Sequence, residues 1–541
     1  MMNLNASVIR SGQRSRSAAL NPARIDAIAQ RSNVGHHLAQ WQKSRTGAGR
    51  QKKTSASLKG ADRSVVHLLN RTSFGIAGPD LNLARELGFE GYLNYQLDAQ
   101  QIDDQFLEDL LADLFPALNL SYQEIFDRLG EEDFDPASEL IVATIARQLF
   151  SPRQLFEVMT EFWSNHFNVF LLDGAVEYLK IVDDRVNVRP FALGQFSQLL
   201  SANARSPAML YYLDNFSNTR FGPNENYARE LMELHTLGVD GGYTENDVVE
   251  VARCFTGWTI DPRSEEVFAF SQEDHDVGAK TVLGVDIPAG GGIEDGEQVL
   301  NLLLSDPATP QFLARKLCRR FISDQPSESI VNSVAQSFES SGGDVPSVMR
   351  AVLLSDEFMA SENQKFRRPN ELVGSMVRSL QPVDGSNYFS VIFRQLETLG
   401  QIPFFAPDPT GYPDQQGDWL NTNALLSRWN LGFSVAFGEI PASTRVDAND
   451  IPDGQRVPVM ADFFAINVLE LIADARTPAQ IVDRVLEEFL HRQIGVADRS
   501  TLITLASGNG PATAPLSLSA AVASARAVLA SALASRYFQN R

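Results

Sequence analysis

Apolar residues recur along most of the chain at the three- to four-residue spacing of an amphipathic helix. This helical spacing is frequent, and the alternation of apolar and polar residues that is typical of strands is rare. The sequence therefore predicts a mainly α, multi-helical fold. Pro152 interrupts the longest of the N-terminal stretches. The stretches with helical spacing begin near Asp62 and cover 82–97, 122–129, 137–170, 297–304, 310–323, 327–340, 346–354 and 369–380.

One segment, 265–287, has the character of β-structure instead. Its apolar runs VFAF and TVLGVDI flank a polar turn that carries His275, Asp276 and Gly278. This arrangement predicts a small β-hairpin inserted among the helices. The glycine-rich stretch that follows suggests a division of the folded chain into an N-terminal helical half, 61–290, and a C-terminal helical half, 291–541.

Charge separates the first 60 residues from the rest. They contain eleven Lys and Arg and a single acid, Asp26, which gives +10 and leaves −31 for the remainder of a chain whose net charge is −21. We expect the acidic body to repel nucleic acid and anionic membranes. We expect 1–60 to be a basic, disordered tail, the only part able to hold a polyanion.

Apolar runs and cysteines limit the possible locations and cofactors. No run is long enough for a transmembrane segment or apolar enough for a secretory signal, so we expect a soluble protein that is cytoplasmic or exported by a non-classical route. Cys254 and Cys318 are far apart in sequence. They therefore offer neither a CxxC redox pair nor a cysteine zinc site.

The stretch 224–258 looks more like a site than a scaffold. From Asn226 to Leu237 it predicts a helix that gathers four polar side chains on one face, whereas His235 projects with the apolar residues of the other face. Gly238 suits the left-handed position after a helix, and Thr244 with Asp247 resembles a capping box that opens the next one. The polar face consists of Asn226, Arg229, Glu230 and Glu233.

Several further segments resemble, in the same order, a large bacterial family known only as domain of unknown function 1800. They are HLLNRTSFG at 67–75, EFWSNHFNVF at 161–170, HDVGAKTVLG at 275–284, RRPNELV at 367–373 and PFFAPDPTGYPDQQGDWLNTNALLSRWN at 403–430. The resemblance implies a predominantly helical bacterial protein, often encoded beside a protein of sulfatase-like type. It brings no assigned catalytic residues.

Three histidines lie inside the motifs that most resemble a site, 161–170, 224–258 and 275–284, and are candidate metal ligands. His166 and His235 both project into apolar surroundings, and His275 lies on the predicted hairpin. We expect the three to converge in one pocket, with help from Asp276, Glu177 or Glu233, and to bind a divalent or transition metal. The alternative is that they are separate core histidines, because no HExxH or similar pattern links them.

Charged residues near these histidines are candidates for acid–base chemistry. Glu230 and Glu233 lie one helical turn apart, beside Arg229, so that burial and mutual repulsion would raise one pKa. Asp276 and Lys280 on the hairpin would place a carboxylate and an ammonium near the same substrate. The alternative for the helix is an Arg229–Glu233 ion pair on a solvated face.

Two classes of function are compatible with these patterns. The first is a metal-assisted enzyme, a hydrolase or an oxidoreductase, with a His/Glu/Asp pocket. The second is a non-catalytic binding or assembly protein whose partner is the sulfatase-like neighbour. Nucleophile elbows and phosphate loops are absent from the sequence. The proline- and aromatic-rich stretch 401–419 is either a rigid wall over a pocket or a loop packed on the core.

Overall fold

A computed structural model describes residues 60–380, 388–437, 468–508 and 510–541, together with Ile25 and Ile28. Of the predicted basic tail only these two isoleucines are described, and Ile25 is fully buried in the main core. The rest of the tail lies outside the described residues. Within the described part, no helix is both long enough and apolar enough to cross a membrane.

The mainly α fold is confirmed, since helices dominate the described chain. In the first part of the chain the α-helices are α1 (Gly60–Thr72), α2 (Gly78–Leu97), α3 (Gln105–Leu114), α4 (Tyr122–Asp127), α5 (Pro136–Phe150), α6 (Gln154–His166), α7 (Val176–Asp183), α8 (Phe196–Ala204), α9 (Pro207–Tyr212), α10 (Asn226–Glu230) and α11 (Glu245–Cys254). Two of them continue as π-helical turns, α7 into Asp184–Val188 and α10 into Leu231–Thr236.

The predicted β-structure is present but pairs differently. Strand β1 (Trp258–Ile260) pairs antiparallel with β2 (Phe268–Phe270), and β3 (Lys280–Val282) pairs antiparallel with β4 (Val285–Ile287). The VFAF run therefore pairs with a strand that precedes it, and TVLGVDI folds on itself with Gly284 at positive φ in its turn. The sequence prediction of one hairpin is corrected to two, and His275 lies between them.

The remaining α-helices complete the fold. They are α12 (Ile293–Ser305), α13 (Ala308–Phe321), α14 (Glu328–Ser341), α15 (Val345–Leu353), α16 (Asp356–Ala360), α17 (Pro369–Leu380), α18 (Tyr388–Leu399), α19 (Gln416–Trp419), α20 (Thr422–Phe437), α21 (Val468–Ile472), α22 (Pro478–Val485), α23 (Val496–Ser507), α24 (Leu518–Ala534) and α25 (Arg536–Gln539). A π-helical turn, Leu486–Leu490, follows α22.

Helix α5 lies at the centre of the main core. Asp135 caps its N-terminus and Pro136 occupies its first turn, both of which favour helix initiation. Nearly all of its side chains are buried, and it packs against α6, α7 and α17. The main core extends from Val65 to Phe538, while a smaller cluster joins α21, α22 and α24. The division at residues 290 and 291 stays a prediction.

A buried ion network ties distant parts of the chain to α17. The fully buried Glu371 accepts hydrogen bonds from Arg320 of α13 and Arg368, and Arg541 Nη2 lies 2.8 Å from its Oε1. Burial acts to raise the pKa of Glu371, but the three guanidiniums hold it well below its usual range. One carboxylate thus joins segments that are far apart in sequence.

Candidate active site

One face of α6 carries polar side chains at helical spacing and leads to a cleft. Glu157, Glu161, Ser164 and Asn165 follow one another along this face, and Asn168 extends it past the end of the helix. The opposite face, with Phe162, Trp163 and His166, is buried in the core, as the sequence predicts. Helix α6 therefore supplies the core with one side and the cleft with the other.

The segment 401–412 forms the facing wall of the cleft, held by two asparagines of the α6 face. Asn165 donates to the Tyr412 carbonyl at 2.8 Å and accepts from the Tyr412 amide at 2.6 Å. Asn168 donates to the carbonyls of Ala406 and Asp408 at 2.9 and 2.8 Å. At Gly411, whose φ is +72°, a β-carbon would lie 2.4 Å from the Asn165 carbonyl oxygen. The stretch thus forms a wall over a cleft and is also packed on the core, so the two alternatives drawn from the sequence do not exclude each other.

The cleft between these elements has a cavity volume of about 40 Å³. Its lining combines carboxyl, amide and hydroxyl groups with an apolar, partly aromatic wall, a composition typical of sites for small polar molecules. The lining residues are Thr144, Gln148, Glu157, Thr160, Glu161, Ser164, Asn165, Asn168, Asp184, Arg189, Asn370, Gln401, Ile402, Pro403, Phe404 and Tyr412.

Three acidic side chains line the cleft in different electrostatic surroundings. Both oxygens of Glu157 accept from Arg189, at 2.6 and 3.0 Å. Glu161 accepts through Oε2 from Arg368 at 2.7 Å and Arg320 at 3.3 Å, and within the described residues its Oε1 accepts no hydrogen bond. Both glutamates are therefore ion-paired with arginines. Within the described residues, Glu161 still has one oxygen, Oε1, that accepts no hydrogen bond.

Asp184 differs from the two glutamates. It lies in the π-helical turn after α7, a type of distortion common at functional sites, and it is 3% exposed. Burial raises its pKa, and the opposing charges of Arg189, Arg147 and Lys180 do not cancel that effect. The cleft thus holds one buried carboxyl group with a raised pKa beside two glutamates that are ion-paired with arginines.

Within the described part of the chain, three lining side chains also have buried polar atoms without a hydrogen-bond partner. They are Oγ of Ser164, Oδ1 of Asn370 and Nε2 of Gln401. An unpaired buried polar group costs about 1–3 kcal/mol, so clustering of three at one cleft requires an explanation. A ligand with both donors and acceptors would satisfy them.

Replacing Asn165 by alanine should loosen the wall. The variant loses two hydrogen bonds to Tyr412, so we expect the free energy of unfolding to fall by about 1–3 kcal/mol and hydrogen exchange at the Tyr412 amide to quicken. Urea denaturation and exchange mass spectrometry measure the two effects. Asn301→Ala on the exposed side of α12 is the control, and equal exchange at Tyr412 in both variants would contradict the assignment.

The structure brings two of the three predicted metal ligands together. His166 and His235 are both buried, with ring centroids 6.0 Å apart. His166 Nε2 lies 3.1 Å from the His235 carbonyl oxygen, and its Nδ1 lies 2.9 Å from Lys316 Nζ. Among the described residues, neither ring nitrogen of His235 has a hydrogen-bond partner. Burial, together with the positive charge of Lys316, lowers the pKa of His235 to about 3, so this imidazole is neutral.

This pair does not fit a metal. The ammonium of Lys316 faces Nδ1 of His166, on the side where a metal ion would bind. Burial lowers the pKa of Lys316 to about 8, against the opposing effect of Asp414, so the amine remains largely charged at neutral pH. In the described part of the chain, no three His, Cys, Asp or Glu side chains are arranged to hold a metal ion.

His275 belongs to a separate buried cluster, which corrects the expected convergence. Its Nε2 lies 3.2 Å from Asp295 Oδ2, and its Nδ1 lies 2.8 Å from the Thr256 carbonyl oxygen. Lys280 donates to the same Asp295 oxygen at 2.6 Å. Asp276 instead accepts from Arg253 at 2.8 Å, which lowers its pKa. The reason is topological: His275 lies between two hairpins, of which β1 packs against α9 and β3 against α11, whereas His166 lies on α6.

The predicted acidic helix is partly exposed and only its first half is α-helical. Arg229 pairs with Glu245 at 2.8 Å and with Glu225 at 3.1 Å, not with Glu233 as the alternative interpretation holds. Burial raises the pKa of Glu230, and the neighbouring Glu233 raises it further, in the expected direction. The predicted capping box of Thr244 and Asp247 is present. None of the eight predicted catalytic or metal residues lines the cleft.

Replacing His235 by phenylalanine distinguishes a core histidine from a metal ligand. Because both ring nitrogens are unpartnered, an apolar ring of similar shape should leave the free energy of unfolding unchanged within about 1 kcal/mol, or raise it. The wild type should lose stability as the pH falls from 6.5 towards 3, since the unfolded state takes up the proton first. His235→Phe should weaken that dependence, as measured by thermal melts across this pH range.

The metal alternative predicts the opposite behaviour. A ligand role would make His235→Phe lower the melting temperature and release a stoichiometric metal, and a chelator would do the same to the wild type. His67 serves as the control position. Burial also lowers its pKa to about 3, but its Nε2 donates to the Phe358 carbonyl oxygen 2.8 Å away, so His67→Phe should destabilise.

The cleft could have been found in part from the sequence. Polar residues repeat every three or four positions through 157–168 within an otherwise apolar helix, a spacing that marks a polar face. Asp184, Asn370 and Gln401 have no such signal, because they reach the cleft from other elements. Only the tertiary fold brings them to α6.

Comparison with known proteins agrees with the resemblance seen in the sequence. A family model described as "Protein of unknown function (DUF1800)" matches residues 67–540. No curated protein and no solved structure matches the chain.

Proposed function

Because the chain belongs to the DUF1800 family of proteins of unknown function, we propose a function from its geometry alone: a hydrolase that acts on a neutral, hydroxyl-rich substrate of the saccharide class. The substrate would bind in the cleft between α6 and the 401–412 wall. The observation that carries this proposal is that two different carboxyl groups line a single cleft: Asp184, whose pKa burial raises, and Glu161, whose Oε1 accepts no hydrogen bond within the described residues.

The lining supports the choice of substrate class. Its uncharged polar groups include four hydroxyls and five carboxamides, which match the donors and acceptors of sugar hydroxyl groups. Three of these groups, on Ser164, Asn370 and Gln401, have buried polar atoms still without a partner. Phe404 and Tyr412 add aromatic surface on the opposite wall, where the apolar face of a sugar ring would pack. A strongly charged ligand fits less well, because Glu157 and Arg189 neutralise each other.

The carboxyl groups support the reaction type. Hydrolysis of a glycosidic bond needs an acid that gives a proton to the leaving oxygen and a carboxylate that takes one from water. Asp184, whose pKa burial raises, suits the acid. Glu161 suits the base, since its Oε1 remains available while Arg368 and Arg320 hold Oε2 in place. The step is balanced by these two groups and one water: Asp184 gives one proton to the leaving oxygen, Glu161 takes one proton from the water, and the remaining hydroxyl bonds to the sugar carbon.

A panel of neutral glycosides tests the proposal. We would incubate the purified chain with 4-nitrophenyl glycosides and with unmodified oligosaccharides, and follow nitrophenol release and new reducing ends. We expect at least one neutral substrate to be cleaved by the wild type, and Ser164→Trp, which fills the cleft, to abolish cleavage. If no member of the panel is cleaved, or if Ser164→Trp keeps the wild-type rate, the proposal is wrong.

The alternative function, non-catalytic assembly, is favoured by one surface. Helix α20 exposes an apolar row at i, i+3, i+7 and i+11, which all lie on one face. Leu426, Trp429, Phe433 and Phe437 are 54%, 41%, 49% and 39% exposed. A protein partner of the sulfatase-like type would dock on this row.

Co-purification tests the alternative. A tagged chain, co-expressed with a protein of sulfatase-like type, should retain that protein. Phe433→Ser should lose it, and the equally apolar exposed position Val496, 88% exposed and on α23, should tolerate Val496→Ser. Equal retention by all three chains would refute docking on α20.

A further inference from the structure

Three buried polar atoms line the small space of the cleft between α6 and the 401–412 wall. They are Oγ of Ser164, Oδ1 of Asn370 and Nε2 of Gln401, and within the described residues none of them makes a hydrogen bond. The three residues are 8%, 6% and 2% exposed. Bulk water therefore reaches these atoms poorly, and polar atoms buried in this way require a ligand or enclosed water as a partner.

The carboxylate of Glu161 lies beside these atoms. Ser164 follows Glu161 by one turn of α6, and Arg368, which immediately precedes α17, donates to Glu161 Oε2 at 2.7 Å. The backbone amide of Asn370, in the first turn of α17, donates to Gln401 Oε1 at 3.1 Å. Three separate elements therefore bring the unpartnered atoms to the carboxylate that the proposed function assigns as the base.

Hydrogen bonding fixes the orientation of the Gln401 carboxamide. A backbone N–H can only donate, so the atom that accepts from Asn370 is the carboxamide oxygen, and the nitrogen is the atom left without a partner. Gln401 Nε2 can only donate, Asn370 Oδ1 can only accept, and the Ser164 hydroxyl can do either. A ligand that satisfies all three must therefore carry an acceptor and a donor close together.

The size of the space limits what can enter it. A cavity volume of about 40 Å³ has room for about three water molecules, or for a group of about four heavy atoms. A whole sugar ring is too large to be enclosed there, whereas a short substituent of the ring is not. A hydroxyl offers a single polar atom, an ammonium cannot accept from Gln401, and a carboxylate would add negative charge beside Glu157 and Glu161.

We propose that this space holds the acetamido group of an N-acetylated amino sugar, an inference that rests on the proposed function and names its substrate class. The acetamido oxygen accepts from Gln401 Nε2, its N–H donates to Asn370 Oδ1, and its methyl group packs against Ile402. The Ser164 hydroxyl joins either polar contact. The group thus supplies an acceptor, a donor and a small apolar end, while the sugar ring stays at the mouth of the cleft against the aromatic wall.

Binding to the wild-type chain tests the proposal independently of hydrolysis. We would titrate the full chain by calorimetry with N-acetylglucosamine, N-acetylgalactosamine and N-acetylmannosamine, each compared with its parent hexose and its free amino sugar. At least one acetylated sugar should bind at least ~10-fold more tightly than both matched forms, because without the acetamido group a buried donor and a buried acceptor stay unpaired. Equal binding of the three forms would overturn the proposal and leave the hydrolase standing.

N-methylacetamide, the amide without a sugar, separates the remaining outcomes. If it binds saturably and no saccharide does, the space takes an amide that is not part of a sugar, and the proposal is wrong. If no probe binds, enclosed water fills the space, and the proposal is wrong as well. In both cases the cleavage of neutral glycosides still decides whether the chain is a hydrolase.

Variants locate the binding. Gln401→Glu keeps the oxygen that accepts from the Asn370 amide but removes the donor, so the dissociation constant of the acetylated sugar should rise at least ~10-fold. Gln364→Glu makes the same change on the surface and should bind as the wild type does. Unchanged affinity in Gln401→Glu would overturn the assignment, and if this variant does not fold, the wild-type titrations decide.

Discussion

Glu371→Gln should lower the free energy of unfolding by about 3–5 kcal/mol, the cost of breaking a buried ion pair from one side. The glutamate is 2% exposed and forms ion pairs with Arg320, Arg368 and Arg541. A neutral amide of the same shape removes the ion pair of Arg541 and leaves the other two guanidiniums only their contacts with Glu161 and Asp414. Urea denaturation measures the change. Because the network joins α13, α17 and the C-terminal segment, we expect the whole described body to unfold at a lower urea concentration.

A surface ion pair provides the control. Glu328→Gln removes an equally short contact, 2.7 Å to Arg315, but the carboxylate is 70% exposed. Water replaces the lost partner there, so the urea midpoint should hardly change. If Glu371→Gln lowers the free energy of unfolding no more than Glu328→Gln does, the buried guanidiniums do not need the Glu371 carboxylate as a counter-charge.

The pH dependence of the same carboxylate follows from its lowered pKa. A group with a depressed folded-state pKa stabilises the fold above its unfolded pKa, near 4.5, and that stability disappears as the pH falls towards the folded value. Wild-type stability should therefore decline below about pH 4.5. Glu371→Gln should decline less steeply over the same range, since it has no carboxylate to protonate.

Periodicity was sufficient to predict the helices because each buries one face, and burial imposes the 3.6-residue pattern on the sequence. Periodicity did not predict which strands pair with each other, because strand pairing depends on the turns between them. VFAF and TVLGVDI are both good strands, yet which strand each joins depends on turns such as Leu283-Gly284, where both residues have positive φ. The π-helical turn at Leu231–Thr236 could not be predicted from the sequence either. Its residues are buried on one side and half-buried on the other, as those of an α-helix would be.

The site was harder to predict than the fold. His166 and His235 were correctly expected on apolar faces, but an apolar face leads into a core, and there the rings meet each other and Lys316 instead of a substrate. The cleft lies on the other side of the same helix. Its acid, Asp184, sits in a run of charged and apolar residues with no distinctive spacing, and only burial by neighbouring elements shifts its pKa.

Asp184→Asn should lower the turnover of the cleft's substrate by about 10²–10⁴-fold, the usual contribution of a general acid. The amide has nearly the shape of the acid but no proton to give to the leaving oxygen. Burial raises the pKa of Asp184, so the wild-type rate should fall as the pH rises through that value, and this basic limb should disappear in the variant. Initial rates between pH 3 and 9 measure both effects.

Stability distinguishes this role from a structural one. An aspartate whose folded-state pKa is raised stabilises the fold when protonated and costs stability once the pH exceeds that pKa. Asp184→Asn should therefore keep or raise the melting temperature at neutral pH while it removes activity, the opposite pairing of effects from Glu371→Gln. Such a trade-off is typical of catalytic groups held in unfavourable surroundings. If Asp184→Asn instead lowers the melting temperature and the rate still falls at high pH as in the wild type, Asp184 has a structural role beside Arg189 and is not the general acid.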